Sequence, residues 1–466
     1  MLVRSLSLRD PVEVVRRLSG LPNVTFLDSA MAHATLGRFS FVAADPFATF
    51  KVEGGVATWN GERIAEGGRA ALAVLKEKLA LYRQVSVPGL PPFQGGAAGF
   101  LAYDFGRELE RLPTPETLQP GVPQVLLHFY DVVFAWDHRE NRAWLVSTGW
   151  PETDPLARER RAAARADAFE ERLAAPALFT GTGVGTAELA FQSNFTRPEY
   201  EAIIARTVEY ILAGDIFQAN IAQRFSARLP ADFDAFAYYQ RLRARNAATF
   251  AAWLDYGPLK IASSSPERFA QVYEGRVETR PIKGTIRRSA HPLEDMNLAG
   301  VLLGSEKDRA ENVMIVDLLR NDLSRVCRPH TVHVPALNVL ETYATVHHLV
   351  SVVTGVLDEG RDVVDLLAAA FPGGSITGAP KIRAMEIITE LEKVERGVYC
   401  GSIGYLGFDG AADTNIAIRT VTFVNGEAIL FGGGGITALS DPADEYDETL
   451  VKASRVLATF RPEDRP

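Results

Sequence analysis

AILFGGGGITALSDPADEYDETLVKASRVLATF, residues 428–460, joins a β-like run to four consecutive glycines and then to a helical pattern. The apolar residues from Ala428 to Phe431 predict a strand. Asp441 is a good N-cap and Pro442 suits the first helical position, so we expect the helix to begin there. The glycines leave backbone N–H groups open to an anion, although a tight structural turn explains them equally well.

The predicted C-terminal helix has two different faces. Apolar residues recur at spacings of four and three, which gives one stripe made of Tyr446, Leu450, Ala453, Leu457 and Phe460. At about 100° per residue, Glu445, Glu448 and Lys452 fall together, roughly 130° from that stripe. Acids near a helix start also complement the helix dipole, which explains Glu445 better than Glu448. Paired with acids from another helix, such carboxylates suit a hard cation such as Mg²⁺.

A second acidic helix is predicted over residues 304–323, in the segment LLGSEKDRAENVMIVDLLRNDL. Leu303, Val313 and Leu318 are among the residues that supply a core face, and acids including Glu311 crowd the remainder. A solvated acidic face is the plainer interpretation of this helix by itself. The sequence alone does not pair its acids with those of the C-terminal helix.

Lys283 lies in TRPIKGT, residues 279–285, at a probable strand end. Most lysines are solvated surface residues. If apolar walls or other cations surround it, its pKa falls and its amine becomes a nucleophile. Glu267, in SSSPERF just upstream, could serve as its acid/base partner. The Gly-rich segment FPGGSITGAPK, residues 371–381, lacks the spacing of a nucleotide P-loop, which disfavours ATP.

Composition limits the partners of the chain. Its 466 residues include 58 acidic and 49 basic ones, for a net charge of -9, which argues against a broad nucleic-acid or anionic membrane surface. An anionic ligand must therefore meet a local positive cluster. The only two cysteines, Cys327 and Cys400, make a disulfide framework or a multi-cysteine zinc site implausible and fit a reducing cytoplasm. No apolar run approaches the roughly 18 residues that span a bilayer, so we expect a cytoplasmic protein.

The order of predicted elements indicates an α+β fold. Residues 1–150 alternate β-like runs at 24–27, 39–43 and 125–136 with a helix at 69–82. Residues 151–192 predict a helical connection, with a helix at 156–174 followed by a Gly- and Thr-rich stretch. Residues 193–460 hold the dense motifs, with helices predicted at 197–213, 234–245, 304–323, 363–370 and 381–391.

Ten segments, in order from about residue 195 to 455, closely resemble the chorismate-utilising enzyme family: GDIFQANIAQRF, SSSPERF, PIKGT, SEKDRAENVMIVDLLRND, VHHLVS, FPGGSITGAPK, GSIGY, NIAIRT, GGGGIT and EYDETLVKA. Residues 1–150 resemble the N-terminal portion of anthranilate and aminodeoxychorismate synthase large subunits. The resemblance implies one interlocked α+β body, in which two large, mainly antiparallel sheets face each other with helices outside. The linear boundaries above need not be spatial ones.

The resemblance also implies a site that binds chorismate. Glu311 and Glu448 resemble Mg²⁺ ligands, and Glu445 resembles a residue that reaches the metal through water. His348, in VHHLVS, resembles the residue near the departing C4 hydroxyl. The groups implied to hold the two carboxylates are Ser375, Tyr399, Arg419, Lys452 and the backbone of Gly433, Gly434 and Gly435. Ser29, in FLDSA, resembles part of a tryptophan pocket, whether regulatory or structural.

Two positions distinguish the branches of this family. Gln218 stands where the members that use water, the isochorismate and salicylate makers, carry a lysine. PIKGT is typical of the aminodeoxychorismate-forming branch, whereas anthranilate synthases usually read PIAGT. By resemblance, Lys283 attacks C2 of chorismate, ammonia then adds at C4, and Glu267 is the acid/base helper. Anthranilate synthesis is the nearest alternative, and a noncatalytic ligand-binding paralogue is a distant one.

Ammonia is expected from a partner. A glutamine amidotransferase needs a nucleophilic cysteine in a tight elbow together with a histidine, and neither Cys327 nor Cys400 has that setting. The sequence therefore predicts a heterodimer with a separate glutaminase subunit.

Overall fold

The computed structural model describes residues 1–8, 10–31, 36–175, 186–343 and 346–461. In those ranges the chain forms two sheets of 12 strands each, paired antiparallel throughout, together with 11 α-helices. This arrangement confirms the predicted α+β class with two large antiparallel sheets. None of the helices in these ranges is both long and apolar enough to cross a bilayer.

The first sheet combines strands from both ends of the chain. In spatial order its strands are β1 (Leu2–Ser5), β10 (Arg142–Ser147), β9 (Val132–Asp137), β3 (Phe39–Ala43), β2 (Val24–Asp28), β13 (Phe250–Tyr256), β14 (Leu259–Ser265), β23 (Thr420–Val424), β24 (Glu427–Ile436), β12 (Gln218–Arg228) and β11 (Gln192–Ser193). A short strand, β20 (Gly378–Ala379), also pairs with β12.

The second sheet also combines strands from both ends of the chain. In spatial order its strands are β17 (Ile282–Arg287), β19 (Val346–Val356), β16 (Arg276–Arg280), β15 (Arg268–Tyr273), β22 (Ala412–Asn415), β21 (Ser402–Gly407), β7 (Gly96–Leu101), β8 (Val125–Tyr130), β4 (Ala48–Glu53), β5 (Val56–Trp59) and β6 (Glu62–Glu66). The long strand β18 (His333–Thr342) pairs with β19.

Helices pack against both sheets, for example α11 against β24 and α8 against β19. The α-helices are α1 (Pro11–Leu18), α2 (Gly68–Leu81), α3 (Gly106–Leu109), α4 (Pro155–Ala174), α5 (Arg197–Leu212), α6 (Ala235–Arg245), α7 (Pro292–Gly304), α8 (Glu306–Ser324), α9 (Val363–Ala370), α10 (Lys381–Glu392) and α11 (Pro442–Ala458). Two 3₁₀ turns lie at Tyr103–Phe105 and Gly374–Ile376.

The two sheets share one core, which makes the body interlocked. Phe100 and Leu127 of the second sheet belong to the same buried cluster as Leu254, Ile261 and Phe431 of the first. Strands from the first 150 residues pair with later strands in both sheets, β2 with β13 and β7 with β21. The division into 1–150, 151–192 and 193–460 stays a prediction about the linear sequence, and residues 176–185 of the connection lie outside the described ranges.

One predicted strand is two strands in different sheets. The apolar run 125–136 is interrupted at Asp131, so that β8 joins the second sheet and β9 the first. Asp131 is fully buried, and its carboxylate pairs with Arg165 at 2.9 Å and Arg161 at 3.4 Å. Its carbonyl oxygen accepts from the Thr148 N–H at 2.8 Å. These long-range partners fix the crossing, and a local pattern does not report them.

The helix predictions are accurate to one residue at each end except around α8. There the predicted helix 304–323 begins two residues later, at Glu306, and a separate helix, α7, precedes it. Ser305 lies between the two helices. It is the N-cap of α8, because its side chain accepts from the Asp308 N–H at 3.3 Å. The pattern around Pro292, with Glu294 and Asp295 in the first turn, was a usable start signal for α7.

Candidate active site

The four glycines lie inside a strand, which corrects the alternative that they form a turn. Residues 432–435 of β24 pair with residues 220–223 of β12 in unbroken antiparallel register. The neighbouring strand β23 pairs with β24 only as far as Leu430. Missing side chains let α11 approach closely, since a Cβ atom at Gly432 would lie 2.7 Å from the Thr449 carbonyl oxygen. The glycines therefore form the floor beneath α11.

The buried face of α11 is rotated relative to the predicted apolar stripe. Helix α11 starts as predicted, with Asp441 accepting from the Ala443 N–H at 2.9 Å. Its buried residues, however, are Glu445, Thr449, Ala453 and Val456, while Leu450 of the predicted stripe is 37% exposed. The glycine floor accepts polar side chains here because it offers open backbone groups and room rather than an apolar surface.

Three carboxylates lie above the floor, where the side chains of Gln218 and Lys452 also approach the glycines. A Cβ atom at Gly434 would lie 3.3 Å from Glu445 Oε2 and 3.8 Å from Glu448 Oε1. A Cβ atom at Gly435 would lie 3.5 Å from Glu311 Oε2. The acidic side chains of α8 and α11 thus meet at Gly434 and Gly435. The sequence alone could not establish that these two helices bring their acids together.

Each carboxylate has a lysine partner. Lys452 Nζ lies 2.7 Å from Glu448 and donates to the Gly433 carbonyl oxygen at 2.9 Å. Lys307 Nζ lies 3.4 Å from Glu445, and Ser440 donates to the same carboxylate at 2.6 Å. Burial acts to raise the pKa of Glu448, but Lys452 holds it below its ordinary value. The cluster therefore carries alternating charge rather than bare acid.

Lys283 extends this network from β17. Its side chain is 11% exposed, and Nζ lies 3.8 Å from Glu311. The amine also donates to the Ser375 carbonyl oxygen at 3.2 Å. Burial lowers the pKa of the Lys283 ammonium below its ordinary value, although Glu311 and Glu267 oppose that shift. A buried amine of lowered pKa is a better nucleophile than a solvated one.

Glu267 lies between β14 and β15 on the other side of Lys283. It is 5% exposed, and its carbonyl oxygen accepts from the Ile416 N–H at 3.0 Å. Burial raises the pKa of the Glu267 carboxyl to about 7, although hydrogen bonding with Ser375 and the charge of Lys283 act against that rise. An acid with a pKa near neutrality can both give and take a proton. Glu267 and Lys283 thus form a buried pair with the properties of an acid/base and an amine.

His348 faces the same region from β19. Its Nδ1 shares a hydrogen bond with Thr285 Oγ1 at 2.8 Å. Burial, followed by the charge of Arg419, lowers the pKa of His348 to about 3, so the ring is neutral at physiological pH. A neutral imidazole with Nδ1 engaged leaves Nε2 for a ligand.

The remaining predicted residues lie around this pair. Ser375 is in the 3₁₀ turn that supplies the carbonyl acceptor of Lys283. Arg419 precedes β23 with a φ of 51°, and its charge acts on both Glu267 and His348. Tyr399 stacks on Phe431, directly before the glycines, at a centroid distance of 4.9 Å. Ser375 and Arg419 therefore interact with Lys283 or Glu267, and Tyr399 adjoins the glycine strand.

Comparisons with known proteins agree with this arrangement. A family model described as chorismate binding enzyme matches residues 26–458. Aminodeoxychorismate synthase component 1 of Klebsiella aerogenes is 41% identical over 442 residues, which cover 94% of this chain and 94% of that protein. Anthranilate synthase component 1 of Thermus thermophilus is 40% identical over 452 residues, which cover 97% and 95%. The chain belongs to the chorismate-binding enzyme family.

A solved structure supports the same assignment. The anthranilate synthase component I of Streptococcus pneumoniae matches with a TM-score of 0.80 and 33% identity, covering 91% of this chain and 94% of that one. This chorismate-binding enzyme is therefore similar both to aminodeoxychorismate synthases and to anthranilate synthases, at nearly equal identity. Overall similarity therefore does not distinguish between the two products.

The carboxylates of this chorismate-binding enzyme fit a hard cation in their chemistry. Glu445 and Glu448 border the Gly434 position and Glu311 borders Gly435, so three oxygen donors adjoin one cradle without side chains. In the described ranges, no group of three His, Cys, Asp or Glu side chains already has the geometry of a metal site. The lysine partners occupy the carboxylates instead, as the ion pairs above show.

A cavity of about 450 Å³ is lined by Arg268 and by residues of both sheets. Ser29 lines it, as the resemblance implies for a tryptophan pocket, and the Ser29 hydroxyl donates to the Phe39 carbonyl oxygen at 2.5 Å. Its walls combine aromatic rings with charged groups, among them Phe39, Phe41, Tyr405, Arg268 and Asp413. Arg268 follows Glu267 directly, so this cavity and the candidate active site share one segment.

Sequence reasoning missed two side chains that contact predicted site residues. Lys307 pairs with Glu445, and Thr285 fixes the ring of His348. Both lie inside quoted motifs, SEKDRAEN and PIKGT, which was the available signal. Asn312, in the same α8 motif, is fully buried beside Glu311 and had no signal of its own.

Proposed function

We propose that the chain is component 1 of an aminodeoxychorismate synthase, which converts chorismate and ammonia to 4-amino-4-deoxychorismate. The observation that carries this proposal is the buried Lys283 amine, of lowered pKa, next to the Glu267 carboxyl with a pKa of about 7. A lysine at this position is typical of the aminodeoxychorismate-forming branch. Gln218, in place of a lysine, disfavours the members that add water.

The reaction proceeds in two substitutions, in which Lys283 first replaces the C4 hydroxyl and ammonia then replaces Lys283. The Lys283 amine forms a bond to C2 of chorismate while both ring double bonds shift and the C4 hydroxyl leaves, taking a proton from Glu267 to become water. Ammonia then forms a bond to C4, both double bonds shift back, and the Lys283 amine leaves C2 with its electron pair. The ammonium nitrogen at C4 returns a proton to Glu267. Chorismate and ammonia thus give aminodeoxychorismate and one water.

His348 and the positive groups orient the substrate. His348 lies near the C4 hydroxyl, where its neutral ring can hydrogen-bond the departing oxygen. Arg419, Tyr399, Ser375, Lys452 and the backbone of Gly433, Gly434 and Gly435 hold the two carboxylates. Glu311 and Glu448 would hold Mg²⁺, and Glu445 would assist through a water molecule. When bound, Mg²⁺ supplies positive charge to the ring carboxylate of chorismate.

Ammonia comes from a glutamine amidotransferase subunit, in a heterodimer. This is supported by the names of the relatives, which are designated component 1. The product is then on a route to 4-aminobenzoate and folate. The cavity at Ser29 is proposed to take tryptophan, because its size, aromatic walls and charged groups suit an aromatic amino acid.

Anthranilate synthase component 1 is the second candidate. It is favoured by the 40% identity to the Thermus thermophilus protein and by the fold match to the Streptococcus pneumoniae structure. That reaction requires elimination of pyruvate, which a lysine covalently bound at C2 disfavours.

The replacement Lys283→Ala tests the proposal. We expect it to lower ammonium-dependent formation of aminodeoxychorismate by about two orders of magnitude or more, because the nucleophile is gone. Chorismate and Mg²⁺ binding, followed by calorimetry, should persist. Lys78→Ala on α2, away from the site, is the matched control and should remain active. Full activity in Lys283→Ala would show that the assigned role is wrong.

A further inference from the structure

Asn312 is a fully buried amide on α8 whose polar atoms are unsatisfied. Its side chain is 0% exposed, and neither Oδ1 nor Nδ2 has a hydrogen-bonding partner among the described residues. Buried amides are normally paired, because leaving their donors and acceptors unmade costs free energy. An unpaired buried amide of this kind is a candidate for binding a small polar molecule.

The position of Asn312 on α8 places it at the Lys283 side of the active site. The preceding residue, Glu311, lies 3.8 Å from Lys283 Nζ. One turn earlier on the same face is Asp308, whose Cγ would lie 2.9 Å from a Cβ atom at Gly284. Helix α8 packs against β17 and β19, the strands that carry Lys283 and His348. Asn312 is thus within one helical turn of Glu311 and Asp308, which lie next to Lys283 and Gly284.

The amide has the chemistry to hold a small neutral nucleophile. It offers two N–H donors and one carbonyl oxygen that accepts. When Oδ1 accepts an N–H group of ammonia, the nitrogen lone pair stays free to form a new bond. A carboxylate at this position would instead retain ammonium, whose fourth proton occupies the lone pair. A neutral amide is therefore the better holder of reactive ammonia.

We propose that Asn312 binds the ammonia consumed in the amination, with Oδ1 accepting its N–H group. This inference rests on the proposed function and adds to it a residue for the second substrate. The lone pair of the held ammonia forms the bond to C4 as the Lys283 amine leaves C2, and the excess proton passes to Glu267.

The variant Asn312→Leu tests this assignment, because leucine has a similar volume and no polar atom. At fixed pH and saturating chorismate, we expect the KM for ammonium salt to rise by about tenfold or more. Chorismate affinity should stay within about twofold of the wild type. The Tm should be unchanged or higher, since no internal hydrogen bond is lost. The same change at Asn321, an exposed asparagine on the same helix, is the control and should leave all three values unchanged.

Several outcomes would overturn the inference. The first is an unchanged KM for ammonium. The second is a fall in kcat that is equal at all ammonium concentrations, which is the result expected if Asn312 holds a water molecule. The third is a lower Tm, which is the result expected if Asn312 makes a structural hydrogen bond. A second variant, Asn312→Asp, should lose turnover at every ammonium concentration because its carboxylate retains ammonium, and full turnover would count against the proposal. If the wild-type chain consumes no ammonia, the proposed function fails instead, so the two failures are distinguishable.

Discussion

At the scale of single residues, the sequence identified the chemical groups but not their partners. Lys283, Glu267 and Glu311 were found from motifs and lie together in the structure. Their lysine and backbone partners come from distant segments, as the contact of Lys283 with the Ser375 carbonyl oxygen illustrates. Burial decides the pKa of Lys283 and of Glu267, and burial is a property of the fold rather than of the local pattern.

The raised pKa of Glu267 predicts that the free energy of unfolding decreases as pH rises from about 4.5 to about 7. The carboxyl has a folded pKa of about 7 against an ordinary value of 4.5. Between these values the folded state binds the extra proton, so the wild-type free energy of unfolding decreases as pH rises, and the full cost remains above pH 7. Glu267→Gln removes this titration. The variant should therefore gain about 3 kcal/mol relative to wild type between about pH 4.5 and about pH 8.

Urea unfolding of both proteins across this pH range measures the difference. Amination by Glu267→Gln should also be strongly reduced, because glutamine cannot exchange a proton. Unfolding free energies that stay parallel across the range would show that the Glu267 pKa is not raised.

At the scale of elements, helix existence was predictable and helix orientation was not. Capping residues marked the start of α11 correctly. Ala453 and Phe460 of the predicted apolar stripe are buried, but the buried face extends beyond the stripe to Glu445 and Thr449, because α11 packs on a strand of glycines. The glycine run of β24 is a strand because it pairs with β12. In that pairing Ala222 lies opposite Gly433, some 210 residues away in sequence. Such pairing leaves no trace in the run itself.

Two adjacent glycines of β24 should respond differently to alanine. A Cβ atom at Gly433 would lie 2.5 Å from the Ile221 carbonyl oxygen, so Gly433→Ala should lower the free energy of unfolding by about 2 kcal/mol. At Gly434 the neighbours are the flexible ends of Lys452 and Glu445, at 3.2 and 3.3 Å. Gly434→Ala should unfold within about 0.5 kcal/mol of wild type while its kcat/KM for chorismate falls about tenfold.

Denaturant unfolding and steady-state kinetics on both variants provide the comparison. Each variant serves as the control of the other, because the substitution and the strand are the same. An active Gly434→Ala would contradict the position proposed for the substrate and metal above the glycine floor.

At the scale of the whole molecule, the sequence suggested a fold class but could not assign strands to sheets. The run 125–136 crosses from one sheet to the other at Asp131, whose buried carboxylate is held by Arg165 and Arg161. The first 150 residues contribute to both sheets, so a linear boundary does not separate two bodies. Overall similarity likewise leaves the product open, since relatives of both kinds are about equally similar to this chain.

Identification of the product from the purified chain tests the central claim most directly. The chain is incubated with chorismate, Mg²⁺ and an ammonium salt, without a glutaminase, and the products are separated and identified by mass. We predict 4-amino-4-deoxychorismate as the main product, dependent on ammonium, because the Lys283 amine holds C2 while ammonia adds at C4. Fluorescent anthranilate with pyruvate as the main products would contradict the account.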